Sequence, residues 1–225
     1  MTYNVTAAVA ADWFYNLMLA SAVVVVGSYL LGSIPFGYLA GRIGGIDIRK
    51  VGSGNIGATN VVRTLGKRYG YPVFVLDFLK GFGAVKISIA IATEARLESG
   101  SPEIFGILAA IVVVIGHSFP LWLKFRGGKG VATSAGALFG LLPLATVIAV
   151  VIWVSVFWFT RYVSVASVIT ALALPLVILI LTRLNQIHGK ALFYSSLFIA
   201  AVVIWRHHSN LSRLMHGREP RFTRE

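Results

Sequence analysis

Residues 131–160 run for thirty positions without one charged side chain. As a single α-helix that stretch would be about 45 Å long, whereas the hydrocarbon core of a bilayer is about 30 Å thick. It is too long for one upright crossing and short for two full ones. Either it is one tilted helix, or two shorter helices meet near Leu142-Pro143. Further apolar runs at roughly 17–40, 71–94, 103–123, 163–182 and 189–205 each approach the ~20 residues that a helical crossing needs. The composition agrees, with 57% apolar and 12% charged residues where soluble domains carry roughly 25% charge, and a mean hydropathy of +0.81. A disordered chain, a secreted disulfide scaffold and a soluble nucleic-acid binder are thereby excluded. The absence of cysteine also removes thiolate metal sites and a cysteine nucleophile.

The net charge of +12 is best explained by Lys and Arg in cytoplasmic loops beside anionic lipid. The first basic residue is Arg42, so the basic start of a cleavable signal peptide is missing. Residues 1–16 read as a non-cytoplasmic lead-in, with an interfacial helix through Trp13, Phe14 and Tyr15. With the N-terminus outside, the loops 41–70 (Arg42, Arg49, Lys50, Arg63, Lys67, Arg68) and 124–130 (Lys124, Arg126, Lys129) face the cytoplasm. If 131–160 is two helices, Arg161 and the tail arginines 206, 213, 218, 221 and 224 join them, leaving only Arg96, Arg183 and Lys190 outside. The positive-inside rule selects two helices. The expectation is an all-α, polytopic membrane helical bundle of seven transmembrane helices, N-terminus outside and C-terminus cytoplasmic. Residues 1–225 form one domain, and the tail 206–225 contributes to any site at the cytoplasmic face.

Three stretches there carry chemistry. Gly52-Ser53-Gly54-Asn55-Ile56-Gly57-Ala58-Thr59-Asn60, followed by Arg63, interleaves glycines that let backbone N–H groups converge with side-chain donors, a composition suited to an anion. The run from Ala58 could open a helix whose N-terminus adds to this. It is not a Walker A loop, because the required lysine is absent. Arg126-Gly127-Gly128-Lys129-Gly130 places an ammonium on backbone that can approach a phosphate closely. In the tail, His207 and Asn210 lie one helical turn apart with Arg213 nearly in line; His208 and His216 read as surface residues. Two glycine-rich cationic loops on one face suggest two phosphate groups in one site. Asp77 and Lys80, three apart inside a span, read as a structural ion pair, and His117 as a packing histidine.

Together these segments resemble the bacterial integral-membrane acylphosphate:glycerol-3-phosphate acyltransferases of the PlsY type. The likeness runs from about Leu30 to Phe222. It rests on Gly-Ser-Ile-Pro-Phe-Gly at 32–37, the 51–60 loop, Leu-Asp-Phe-Leu-Lys-Gly at 76–81, Gly-His-Ser-Phe-Pro at 116–120, the 124–133 loop, Arg-Tyr-Val-Ser-Val-Ala-Ser at 161–167 and the tail motif 206–219. Departures are few: His208 and Leu211 stand where Arg and Ile are usual, and the lead-in is longer.

The resemblance implies acyl transfer from acylphosphate to the 1-hydroxyl of glycerol 3-phosphate, giving lysophosphatidic acid and phosphate at the cytoplasmic face of the bacterial plasma membrane. It implies no cofactor, no metal, no nucleic acid, and no acyl-CoA or acyl carrier protein as donor; bilayer lipid is the remaining partner. The His-x4-Asp pair of other glycerolipid acyltransferases is absent. Ser53, Arg63, Lys129, His207 and Asn210 are the expected catalytic residues. Gly52, Gly54, Asn55, Gly57, Thr59, Asn60, Gly127, Gly128, Gly130 and Ser167 are the expected substrate-binding ones. The proton of the attacking hydroxyl goes either to a phosphate oxygen of the donor or to His207. A carrier of a phosphate-bearing anion is the competing reading, but such proteins usually show internal repeats and place binding groups at the midplane. Here no repeat is visible and the cations gather at one face.

Overall fold

The structure, a computed structural model, describes residues 2–95 and 101–222, without the side chains of 2–12 and 101. Its elements are the helices α1 (Thr2–Ser33), α2 (Phe36–Ile43), α3 (Ala58–Leu65), α4 (Lys67–Glu94), α5 (Ser101–Ser118), α6 (Val131–Leu141), α7 (Pro143–Thr160), α8 (Val163–Arg183), α9 (Lys190–Arg206) and α10 (His208–Met215). Two 3-10 turns, Ile48–Lys50 and Leu121–Leu123, complete it. The charge-free stretch is two helices, divided at Leu142 where Pro143 begins α7. A proline at the first position of a helix gives up only an N–H that would be unpaired there anyway.

Among the described residues, four helical stretches are long and apolar enough to cross a membrane: Trp13–Ile43, Pro102–Leu123, Pro143–Thr160 and Val163–Arg183. The 28 residues of α4 and the 17 of α9 run beside them. The N-terminal region departs from expectation in two ways. No separate lead-in helix exists among the described residues, because residues 2–33 form one continuous helix. The first run also does not stay helical to residue 40: it breaks at Ile34-Pro35, since proline disfavours helical geometry at the residue before it, and the chain restarts as α2. The placements of Arg96 and Arg224 lie outside the described residues.

Helices pack closely where glycine removes a side chain from the seam. α4 and α6 share the most extensive interface. A Cβ at Gly81 would overlap the Thr133 carbonyl, and one at Gly136 the Phe78 carbonyl. Small residues at a helix seam let dispersion and backbone contacts act where water supplies no driving force. The main core gathers Val85, Ala109, Ala110, Val113, Ala137 and Ile178. A second core, of Ala40, Ile48, Ile56, Val61, Val73 and Leu123, lies under the glycine-rich segment 52–57. Ile56 anchors that segment to this core, while Gly52 and Ser53 stay exposed.

Candidate active site

The first glycine loop is shaped from within. Asn60, in the first turn of α3 and 2% exposed, accepts from the Ser53 amide at 2.9 Å and donates to the carbonyls of Ile48 and Val51 at 3.2 and 3.1 Å. Its amide group is fully engaged in holding the loop. Gly52 has φ +58, and a Cβ there would overlap Asn60 Oδ1, so only glycine fits the turn. Asn55 Oδ1 accepts from the Gly57 amide at 2.8 Å. The result presents Ser53, Asn55, Gly57, Thr59 and Arg63 to a cavity of about 390 Å³.

The second loop is held from both sides. The amides of Gly127 and Gly128 donate to the carbonyls of Ser118 and His117 at 3.2 and 3.1 Å. Arg206 donates to the Gly128 and Gly127 carbonyls at 3.0 and 2.8 Å. The expectation is that Lys129 and the 127–130 backbone together neutralise charge on a phosphoryl group or the developing oxyanion. Two of those N–H groups point into the end of α5, and the loop offers Lys129 instead.

Lys129 donates to Asn210 Oδ1. Asn210 Nδ2 donates in turn to Glu219 Oε1 at 2.6 Å, which also accepts from Ser164 at 2.9 Å, while Arg213 Nε reaches Glu219 Oε2 at 2.9 Å. Burial would raise the Glu219 carboxyl, but these three hydrogen bonds overcome it and hold it below the usual carboxylate range. Burial lowers Lys129 to about 8, with Arg213, Arg206 and Arg63 adding to the effect and Glu219 opposing it. His207 Nδ1 lies 2.7 Å from the Val203 carbonyl. A carbonyl can only accept, so Nδ1 carries the proton and Nε2 offers a lone pair. Burial, with Lys129 and Arg206 nearby, brings His207 down to about 4, against the pull of the Val203 carbonyl and of Glu219.

Ser53, Asn55, Gly57, Thr59, Asn60, Arg63, Lys129, Gly130, Ser167, His207 and Asn210 thus line one cavity, together with Glu219. Ser167 donates to the Val163 carbonyl and accepts from Trp153 Nε1 at 3.1 Å. Beyond this polar mouth the walls turn apolar, with Leu138, Ala149, Val150, Leu174, Ile199 and Val203. A neighbouring cavity of about 480 Å³ shares Ser53, Asn55 and Lys129 and adds Gly54, Gly127, Arg49, Lys50, Arg126, Arg206 and Arg213. Gly52 and Gly128 lie behind the walls. The sequence reading missed Glu219 and Arg206. The first had a signal, being the only acidic residue between 104 and 224. Arg206 was counted only as topological charge.

An apolar recess thus opens onto a polar mouth that carries Arg63, Lys129 and Glu219, within a bundle of membrane-length helices. The profile of the glycerol-3-phosphate acyltransferase family matches residues 22–217. Glycerol-3-phosphate acyltransferases of Desulforamulus reducens and Aquifex aeolicus are 43% and 39% identical over 202 and 199 residues, covering 89% and 88% of this chain and 94% and 97% of theirs. The crystal structure of PlsY (YgiH), an integral membrane glycerol 3-phosphate acyltransferase, in its glycerol 3-phosphate form is similar with a TM-score of 0.78 and 38% identity, covering 90% of this chain and 96% of that one. Its lysophosphatidic acid form gives a TM-score of 0.75 at 37% identity, over 90% and 95% of the two chains. The chain belongs to the glycerol-3-phosphate acyltransferase family and is an integral membrane enzyme.

Proposed function

We propose that the protein transfers a fatty acyl group from acylphosphate to the 1-hydroxyl of glycerol 3-phosphate, releasing lysophosphatidic acid and phosphate. The observation that carries this reading is the pair of adjoining cavities that share Lys129. One is apolar in its depth and suits the acyl chain, and the other is lined by cations and suits a soluble, phosphate-bearing acceptor. The hydroxyl oxygen attacks the carbonyl carbon of the mixed anhydride, the bond from that carbon to the phosphate oxygen breaks, and phosphate leaves. Lys129 and Arg63 neutralise the charge that grows on the carbonyl oxygen and the leaving phosphate. His207, neutral and with Nε2 free to accept, orients the acceptor hydroxyl together with Asn210 and Ser53. A base is most effective when its pKa lies near the working pH, and about 4 is well below it. The departing phosphate is therefore the proton acceptor in this scheme. Asn60, Gly52 and Gly128 shape the loops, and the remaining donors line the substrate space.

The bundle crosses the bacterial plasma membrane seven times with its N-terminus outside and its site at the cytoplasmic face. The gathering of loops 44–57 and 119–130 and the 206–222 segment around one cavity supports that arrangement. The test is an assay of the purified protein in detergent with glycerol 3-phosphate and either acylphosphate or acyl-CoA. Stoichiometric phosphate and lysophosphatidic acid from acylphosphate alone is the expected result. A carrier would release neither without a sealed compartment.

A further inference from the structure

Asp77 and Lys80 on α4 are 3% and 4% exposed, and His117 on the last turn of α5 is 5% exposed. Their arrangement goes beyond a neutralised ion pair. Lys80 Nζ sits 2.8 Å from Asp77 Oδ1 and donates to the Ile34 carbonyl at 2.9 Å, so the ammonium is anchored at the α1–α2 break. The same Asp77 oxygen lies 3.5 Å from His117 Nδ1, a close polar contact in which neither atom has a hydrogen-bond partner among the described residues. The opposite edge of that imidazole faces Gly128: a Cβ there would overlap His117 Nε2, and one on Gly127 would overlap the His117 carbonyl. Gly128 lies against the ring and Gly127 against the backbone of this histidine, and both are bonded to the end of α5 through their amides. Asp77 and His117 also line the catalytic cavity directly beneath the Lys129 loop.

Two isolated charges in a membrane segment need only each other. Nothing in that requirement calls for a histidine on the same carboxylate, nor for the next loop to be pressed against its ring. We infer that Asp77 is a positioning residue: through His117 it holds the platform on which Gly127 and Gly128 rest, and so sets the height of Lys129 over the reacting groups. Arg206 closes the same loop from above, and Lys129 is the one side chain between the two clamps that reaches the cavity. The inference rests on the proposed role of Lys129.

Three variants test it. Asp77→Asn keeps the shape but weakens the hold on His117. Asp77→Leu/Lys80→Met removes both charges for apolar groups of similar size, a replacement that is often neutral or stabilising. His117→Phe keeps a flat ring and the ion pair but removes the polar contact with Asp77. Activity with acylphosphate is measured per folded molecule. The reactivity of Lys129 toward acetic anhydride is followed against pH by peptide mass spectrometry. Lys129 is faced by Asn210 and Glu219 from the tail, by Arg206 and Arg213 beside them, and by Arg63 from α3. None of these is altered in the variants. The expected result is a loss of about 10²-fold in kcat, as for a small displacement of a reacting group. Lys129 labelling is expected to move from about 8 toward the ordinary lysine value of 10.5 as the loosened loop admits water. A merely structural pair would lower the melting temperature and leave both readouts at wild-type values. Wild-type kcat and labelling in any folded variant that lacks the Asp77–His117 contact overturns the inference. Failure of the wild type to use acylphosphate would overturn the proposed donor instead, while the labelling profile would still decide this point.

Discussion

Lys129 holds its proton with a pKa near 8 because burial and three arginines disfavour the charge and Glu219 restores part of it. The ammonium is present at neutral pH and disappears as pH rises through that value. kcat/KM should therefore fall on the alkaline side with an apparent pKa of about 8, since this ratio reports the free enzyme. A guanidinium stays charged throughout that range, so Lys129→Arg should lose the alkaline limb at whatever rate its different geometry permits. Lys129→Ala should lower kcat by about 10²–10³ if the charge acts in the transition state, and a rise in KM with kcat kept would assign it to ground-state binding. Glu219→Gln removes the one carboxylate that raises Lys129, so its limb should shift toward lower pH. His207 titrates at about 4 and is neutral above that, so His207→Gln should leave the shape of the profile between pH 7 and about pH 5 unchanged.

Helix seams and loops make their own forecasts. Gly81→Ala sets a methyl group against the Thr133 carbonyl, whereas a Cβ at Gly83, two residues along α4, meets nothing within 4 Å. The first should lower the melting temperature in detergent. The second should keep or raise it, because alanine is favoured over glycine in a helix by roughly 0.5–1 kcal/mol. How far such features are legible in the sequence depends on how local they are. The 52–60 loop can be read because its glycines and donors are neighbours, and even its self-stapling through Asn60 spans few residues. The direction of the Gly127 and Gly128 amides is set by the end of α5, so composition alone does not reveal that these two are already bonded. Lys129 meets Asn210, its hydrogen-bonded link to Glu219, across a separation of 81 positions, and no spacing rule reaches that far. The break at Pro35 did have a local signal. Apolar continuity through residue 40 masked it, because hydropathy is blind to a missing N–H.

At the scale of the molecule, the seven-crossing arrangement and the donor can be checked separately. A single cysteine at Arg218 should resist an impermeant thiol reagent in intact cells, while one at Gln186, exposed in the α8–α9 connection, should react. Labelling at 218 from outside would refute the cytoplasmic site. Purified enzyme should turn over acylphosphate but not acyl-CoA or acyl carrier protein, and should do so in the presence of a chelator. Loss of activity to the chelator with recovery on adding a divalent metal would count against charge neutralisation by Lys129 and Arg63. The bundle is legible as a class from hydropathy and charge bias alone. The meeting of the two loops and the tail is a property of the folded whole.

The segment after α10 closes the site's outer edge. Arg63 donates to the Pro220 carbonyl at 3.0 Å and stacks at 4.6 Å on Phe222, whose amide is bonded to the Arg161 carbonyl at 3.0 Å. Arg63 and Glu219 are therefore partners in one site although they leave the ribosome far apart in time. At about 5–20 residues per second, roughly 8 to 30 seconds separate them. Throughout that interval the early helices can already be in the bilayer while the cavity still lacks Glu219. A nascent chain interrupted before residue 219 would lack the carboxylate that Asn210, Ser164 and Arg213 hold, and its Lys129 would lose the group that opposes its burial.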